Sequence, residues 1–503
     1  MSHTPSEKIL IIGFGPVAAS LVEGLLPGVS AGQIELTVLG AEPQPAYNRV
    51  LLAEVAVGST RTEHLMLSDL NRLRDAGVRV LSGCTATRVD RARRKVHLDT
   101  GEPLSYDRLI FATGARAMIP SLHGVNFDPH TEPDLPEGVL ALRTLEDALS
   151  LQKVLARRGR VLILGGGILG LEAALAMAAA GHTPVLIHHG PAPLGRMMDA
   201  DGGRLLLRQL SEAGVEVHSQ VRATGVRLNE NGFAALGTET HGEITGDALL
   251  ISTGVRARTE LAAGCGLEVG RGIKTDEYLC ADAEHRIFAL GDCAEVAGTA
   301  PAGLLAPGWA QAGWLANYLL THRAPRPDRA PEPQSALTPP PPFTASQVLM
   351  LKGQGLELTA AGDIDAPLFA EDGRDVMVFA DPSRGCYLKL VTRDSVALGF
   401  VALGLPRTSA ELVLAFERGA ALPEDRSLLL RLDDPGLPEP TAAAADEDTL
   451  CRCSGATYGD VAHAVSEGCE TVAEVGESCR AGTGCGGCRE KIEQMLQHAS
   501  VLL

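Results

Sequence analysis

Residues Lys8 to Ala18 read KILIIGFGPVA. Ile9 to Ile12 are a short unbroken apolar run, the pattern of a strand buried on both faces of a parallel sheet. Gly13, Gly15 and Ala18 follow at GxGxxG/A spacing. The first glycine permits a tight turn, the second lets a pyrophosphate approach the backbone, and the small third residue lets helix pack on strand. Pro16 suits the first position of the helix that follows, whose free N–H groups and positive dipole end face the phosphates. A dinucleotide-binding unit therefore begins almost at the first residue.

The same logic recurs at Arg160 to Gly170, RVLILGGGILG, where Gly165, Gly167 and Gly170 precede an alanine-rich helix, Leu171 to Ala180. Two such fingerprints in one chain predict two dinucleotides, a bound flavin and an exchanging nicotinamide. Past the first fingerprint, the strand Ile34 to Leu39 leads to GAEPQPAYNRVLLAEV, where Glu42 is available for ribose hydroxyls and Arg49 for a pyrophosphate. Past the second, Pro184 to Ile187 ends in His188 and His189. An acid at that place favours NAD and a basic group NADP. Histidine decides neither, and Arg196 nearby leaves NADPH open.

Composition narrows the function classes. The 503 residues make several domains' worth of chain, and 45% hydrophobic with 21% charged residues is ordinary for a globular protein. A net charge of −18 argues against nucleic acid and against an anionic membrane surface. The first strand follows seven polar or small residues, which leaves no room for a signal peptide. No apolar run reaches bilayer-spanning length. Six of the eleven cysteines lie between Cys451 and Cys488, a clustering that predicts metal binding in a reducing cytoplasm.

Further motifs extend the pattern. YDRLIFATGARAMIP (Tyr106 to Pro120) is an apolar strand running into Ala112-Thr113-Gly114, and LLISTG (Leu249 to Gly254) echoes it and leads back towards the first unit. Together GFGPVA, EPQPAYNR, ATGARA and RIFALGDCAE resemble the two-dinucleotide FAD/NAD(P)H reductases of the pyridine-nucleotide reductase superfamily. The closer likeness is to the flavoprotein part of bacterial assimilatory nitrate and nitrite reductases.

That resemblance implies FAD contacts from Arg49, Thr113 and Gly114, and a bond from Asp292, after Gly291, to the ribityl chain. From the residues themselves, Gly254 in the echoing LLISTG is a candidate cofactor turn, and Trp309 a candidate to border the flavin ring, although packing accounts better for Trp309 and Trp314. Two departures stand out. Relatives often carry the ribose acid one residue earlier, at Ala41 here, and ferredoxin-reductase relatives carry a lysine near the flavin where this chain has Glu54. No CxxxxC pair stands beside the first glycine loop, which argues against a disulfide reductase.

The expected architecture is α/β, with two Rossmann-like dinucleotide-binding domains, the NAD(P) domain inserted in the FAD domain, then a small α+β domain and a small helical [2Fe–2S] domain. FAD-binding parts are expected over 1–125 and 256–324, around an NAD(P)H-binding domain over 126–255. A proline-rich linker over 325–343 precedes a β-rich α+β domain over 344–432 that suggests packing rather than chemistry. A second linker over 433–447 leads to the tail, 448–503.

In the tail, Cys451-x-Cys453 is separated by thirty-one residues from Cys485-x-x-Cys488. Two close thiolate pairs can hold one compact centre, either a structural zinc or an iron–sulfur cluster. Thr457 with Asp460 predicts a capped helix through Ser466, and a second helix starts at Arg489. A helix start beside Cys488 favours thiolate. The spacing and the ending AGTGCGGC resemble the bacterioferritin-associated-ferredoxin-like [2Fe–2S] domain, which makes Cys451, Cys453, Cys485 and Cys488 the implied ligands.

No catalytic side chain is expected, because the cofactors carry the chemistry. The expected activity is oxidation of NADH or NADPH by FAD, with single electrons leaving through the cluster to a separate catalytic subunit. That acceptor is expected to be assimilatory nitrate reductase, or else nitrite reductase. No stretch of this sequence suggests a sirohaem or molybdenum-cofactor site, so the acceptor is expected on a separate subunit. An opine- or glycine-oxidase subunit also joins FAD to CxC…CxxC, but EPQPAYNR favours the reductases. A scaffold with vestigial nucleotide loops is the reading without enzymatic activity.

Overall fold

The computed structural model describes residues 6–125, 128, 130–301, 303–324, 348–353, 355–433, 445–451, 454–482 and 487–502. The linker expected over 325–343, and residues 434–444 of the second, lie outside these. Two parallel sheets dominate. The first has five strands in the order Ile287–Ala289, Arg108–Phe111, Glu7–Ile12, Ile34–Gly40 and Arg79–Ser82. The second runs Glu216–His218, Val185–Ile187, Val161–Leu164, Ala248–Ile251 and Val139–Leu140. Its strands fall in the chain between Phe111 and Ile287.

The apolar runs of both central strands, Ile9 to Ile12 and Val161 to Leu164, are buried, as helices on both faces of a parallel sheet require. The helix Pro16–Ser30 packs with Leu21, Val22 and Leu25 on the first sheet, beside Leu315 and Leu319 of the helix Leu305–Thr321. The strand expected to run into Ala112-Thr113-Gly114 is present. It pairs as Arg108–Phe111, turns at Ala112-Thr113-Gly114, and resumes as Ala115–Ala117. There it meets Val255–Ala257 antiparallel.

This crossing is reciprocal. Met118 N–H donates to Gly254 O at 2.9 Å, and Arg258 N–H donates to Gly114 O at 3.0 Å. Thr113 Oγ1 donates to Arg258 O at 3.0 Å. The chain thus passes between the two sheets at matching turns, as the echo of ATG in STG suggested.

A third sheet is antiparallel, in the order Val348–Gly353, Leu356–Gly362, Val396–Leu403, Cys386–Arg393 and Asp375–Asp381. The helix Pro406–Arg418 covers one face and begins three residues before the expected Ser409, because Pro406 starts it. The opposite face shares one core with the second sheet's helices, where Leu351, Leu358 and Val401 join Leu171, Leu175 and Leu206. Tyr387 Oη donates to Asp199 Oδ2 at 2.5 Å across that contact, and Gln209 Nε2 donates to Gly385 O at 2.9 Å. A hydrogen bond to a carboxylate contributes about 1.5–3 kcal/mol.

The tail contains the helices Tyr458–Ser466, Val472–Cys479 and Arg489–Leu502 around a core of Cys451, Val461, Val475, Cys488 and Ile492. Thr457 and Asp460 form the expected capping box, and Thr471 with Glu474 forms another. No helix among the described residues is long and apolar enough to cross a membrane.

Candidate functional site

The two glycine turns differ internally in a telling way. Gly13 has φ +106°, and a Cβ there would lie 2.1 Å from Ala112 O. Gly165 repeats this, with φ +126° and a Cβ 2.1 Å from Ser252 O. These glycines are demanded by the fold itself. A Cβ on Gly170 would lie 2.3 Å from Gly165 O, the close helix-to-strand approach the third position serves. Ala18, at that position in the first turn, is buried.

Gly15 and Gly167, by contrast, would meet nothing within 4 Å. They cap the helices Pro16–Ser30 and Ile168–Ala179 in extended conformations that any residue adopts. The protein alone does not require glycine there. Space left bare at a helix N-terminus, twice, fits two pyrophosphates.

Beside the second turn, whose Leu169 borders it, lies a cleft lined by Arg49, Ala53, Arg143, Glu172, Ser252 and Gly254. Asp292 stands near it, its carboxylate 4.0 Å from the Arg143 guanidinium. Burial pushes the Asp292 carboxyl up, against the pull of Arg143 and Arg49. Burial also pulls the Arg143 guanidinium down, and its Nε has no hydrogen-bond partner among the described residues. Gly291, with φ +71°, donates its N–H to Gln311 Oε1 at 2.7 Å and so fixes the turn that carries Asp292.

Several expected residues have other occupations. Glu42 accepts from Tyr47 Oη at 2.5 Å and pairs with Arg49, so both its oxygens are engaged. Arg49 also donates to Tyr47 Oη at 3.1 Å and to Arg143 O at 2.6 Å. His188 is buried, and its Nε2 lies 3.0 Å from Ser219 Oγ. Burial, with help from His189, lowers its pKa to about 4, so it is neutral at physiological pH. Nothing is described of the Arg196 side chain.

Trp309 is buried with its Nε1 donating to Pro16 O at 3.3 Å, which seats the indole against the first glycine turn. Glu54, in the helix Leu52–Ala56, has a buried Oε2 without a hydrogen-bond partner among the described residues. Burial raises its pKa, and Arg489 of the tail partly offsets that.

Of the four expected cluster ligands, Cys453 and Cys485 lie outside the described residues. Cys451 and Cys488 both face the tail's core. Gly482 N–H donates to Cys488 Sγ at 3.2 Å, and Cys488 stands at the start of the helix Arg489–Leu502. Backbone N–H donation and a helix start both favour the thiolate, and that donor set fits an iron–sulfur centre.

Sequence reasoning missed Arg143 and Glu172. The signal for Arg143 was the capping box Thr144-x-x-Asp147, which starts a helix one residue later and fixes Arg143 at its entrance. Glu172 lies in the second turn of the helix that Gly167 caps.

Comparison with known proteins bears on this geometry. The model of the pyridine nucleotide-disulphide oxidoreductases matches residues 7–311, and that of the BFD-like [2Fe–2S] binding domain matches residues 449–498. Nitrite reductase (NAD(P)H) of Bacillus subtilis (strain 168) is 29% identical over 504 residues, covering 98% of this chain and 58% of the relative. The assimilatory nitrate reductase electron transfer subunit of the same organism is 26% identical over 505 residues, covering 98% and 60%. The chain thus spans less than two-thirds of the length of these relatives.

Among solved structures, the covalent putidaredoxin reductase–putidaredoxin complex aligns with TM-score 0.67 at 21% identity, over 86% of this chain and 97% of that one. A ferredoxin reductase from Rhodopseudomonas palustris aligns with TM-score 0.68 at 20% identity, over 87% and 100%. These two likenesses concern the fold alone. With both glycine turns built to one plan and the family model matched over residues 7–311, the chain belongs to the pyridine nucleotide-disulphide oxidoreductases, an oxidoreductase using FAD and NAD(P)H and carrying a BFD-like [2Fe–2S] domain.

Proposed function

We propose that this chain is an electron-transfer flavoprotein, oxidising NAD(P)H and delivering single electrons to a separate assimilatory nitrate reductase catalytic subunit. The observation that carries the reading is the pairing, in one chain, of two bare glycine turns with a cysteine-lined tail. FAD, when bound, accepts a hydride and releases electrons one at a time, and a [2Fe–2S] centre takes them singly.

The chain's own residues bind and orient. Gly13, Gly15 and Ala18 with the N-terminus of the Pro16–Ser30 helix hold the FAD pyrophosphate, and Thr113, Gly114 and Asp292 line its course. Gly165, Gly167 and Gly170 hold the nicotinamide dinucleotide, and Gly254 closes the turn beside it. Arg49 and Arg143 supply positive charge to the cleft. Cys451, Cys453, Cys485 and Cys488 hold the cluster.

Donation to nitrite reductase is the second reading, favoured by the 29% identity to nitrite reductase of Bacillus subtilis (strain 168). The test combines the purified chain with separately purified nitrate and nitrite reductase catalytic subunits and follows NAD(P)H-driven product formation. Stimulation of nitrate reduction supports the first reading. Stimulation of nitrite reduction alone supports the second, and no stimulation of either contradicts both.

A further inference from the structure

The tail's position carries an inference that rests on the reading above. A cavity of about 270 Å³ separates the tail from the first sheet's helices. Ser20, Trp309 and Ala310 line one side, and Ser454, Gly455 and Arg480 the other. Trp309 belongs to both neighbourhoods, since its Nε1 reaches Pro16 O, directly after the bare Gly15, while its ring borders the cavity. On the tail side, Ser454 and Gly455 directly follow Cys453, and Gly455 N–H donates to Cys451 O at 2.7 Å. The cavity is therefore bordered by the flank of the flavin's glycine turn and by the flank of a cluster ligand.

Charged side chains of both parts also meet here. Arg480 stands close enough to feel the attraction of Glu23 and the repulsion of Arg72, two residues that pair with each other at 3.1 Å.

We propose that this gap is the seam through which electrons pass from flavin to cluster, with the tail facing Trp309 across it. Each NAD(P)H supplies two electrons. One crosses at a time and reduces the cluster by one electron, the flavin's proton passes to water, and a one-electron acceptor empties the cluster between crossings. Trp309 acts as a positioning residue, filling the space between the glycine turn and the seam.

The test uses the full chain with flavin and iron contents verified, mixed anaerobically with NADH or NADPH. Flavin bleaching is followed by absorbance, and cluster reduction by freeze-quench electron paramagnetic resonance. Ala310→Trp and Ser20→Trp each wedge the seam open from the flavin-binding side without touching either cradle. Both should leave flavin bleaching at the wild-type rate and slow cluster reduction about tenfold or more. Cluster reduction at the wild-type rate in both single variants overturns the seam alone. A wild-type cluster that stays oxidised while its flavin bleaches overturns the proposed function, and the seam with it.

Discussion

The His188 imidazole and the Ser219 hydroxyl stand 3.0 Å apart at the ends of neighbouring strands, where the second dinucleotide's ribose is expected. The imidazole is buried, and its pKa is lowered to about 4. Among the described residues, His188 itself brings neither a carboxylate nor a fixed cation to this position.

A pH dependence of stability follows. A base whose pKa is lower in the folded than in the unfolded protein contributes its full stability above the unfolded value. It loses that contribution as pH falls through the folded value. Between pH 6.5 and 4 the chain should therefore lose about 2–3 kcal/mol from His188 alone. Denaturant titrations at pH 7, 5.5 and 4.5 would measure this. The slope should be shallower in His188→Gln, which stays neutral and can still bond Ser219.

The glycines separate fold from ligand. Gly13→Ala forces a Cβ to within 2.1 Å of Ala112 O and should cost about 3 kcal/mol or more, enough to prevent recovery of soluble protein. Gly15→Ala meets nothing, so its thermal unfolding without flavin should match wild type while FAD retention falls. Gly167→Ala should keep its FAD and lose affinity for NAD(P)H. Flavin-to-protein absorbance ratios and nucleotide titrations check all three.

The Asp292–Arg143 pair yields a prediction about cofactor retention. Asp292→Ala removes a half-buried acceptor and leaves Arg143 beside an empty space. FAD affinity should fall by about 10- to 100-fold, the loss expected for a hydrogen bond to a charged group. Reconstitution of apoprotein with FAD, followed by flavin fluorescence, measures it.

The tail's thiols should separate the two redox centres. Cys451→Ser and Cys488→Ser should each abolish the cluster's visible and magnetic signatures while NAD(P)H still bleaches the flavin. Iron analysis beside flavin analysis distinguishes this outcome from general unfolding.

The two glycine turns were legible in the sequence because their requirement is steric and local. A strand, a turn at positive φ and a helix start lie within eleven residues of Lys8. The capping box at Thr457 was legible for the same reason. Side-chain partners set by distant chain were not. Arg49 reaches Arg143 O, a residue 94 positions away. The packing of the third sheet on the second rests on Tyr387 and Asp199, 188 positions apart, which no local pattern connects.

The central claim is that electron pairs enter at the second glycine turn and leave singly through the tail's thiolates. One anaerobic titration of the full chain with NADH and with NADPH, read by visible absorbance and by electron paramagnetic resonance, tests it most directly. The account predicts flavin bleaching with at least one nucleotide, accompanied by the signal of a reduced [2Fe–2S] centre. A tail that holds zinc, or a flavin that stays oxidised with both nucleotides in excess, would contradict it.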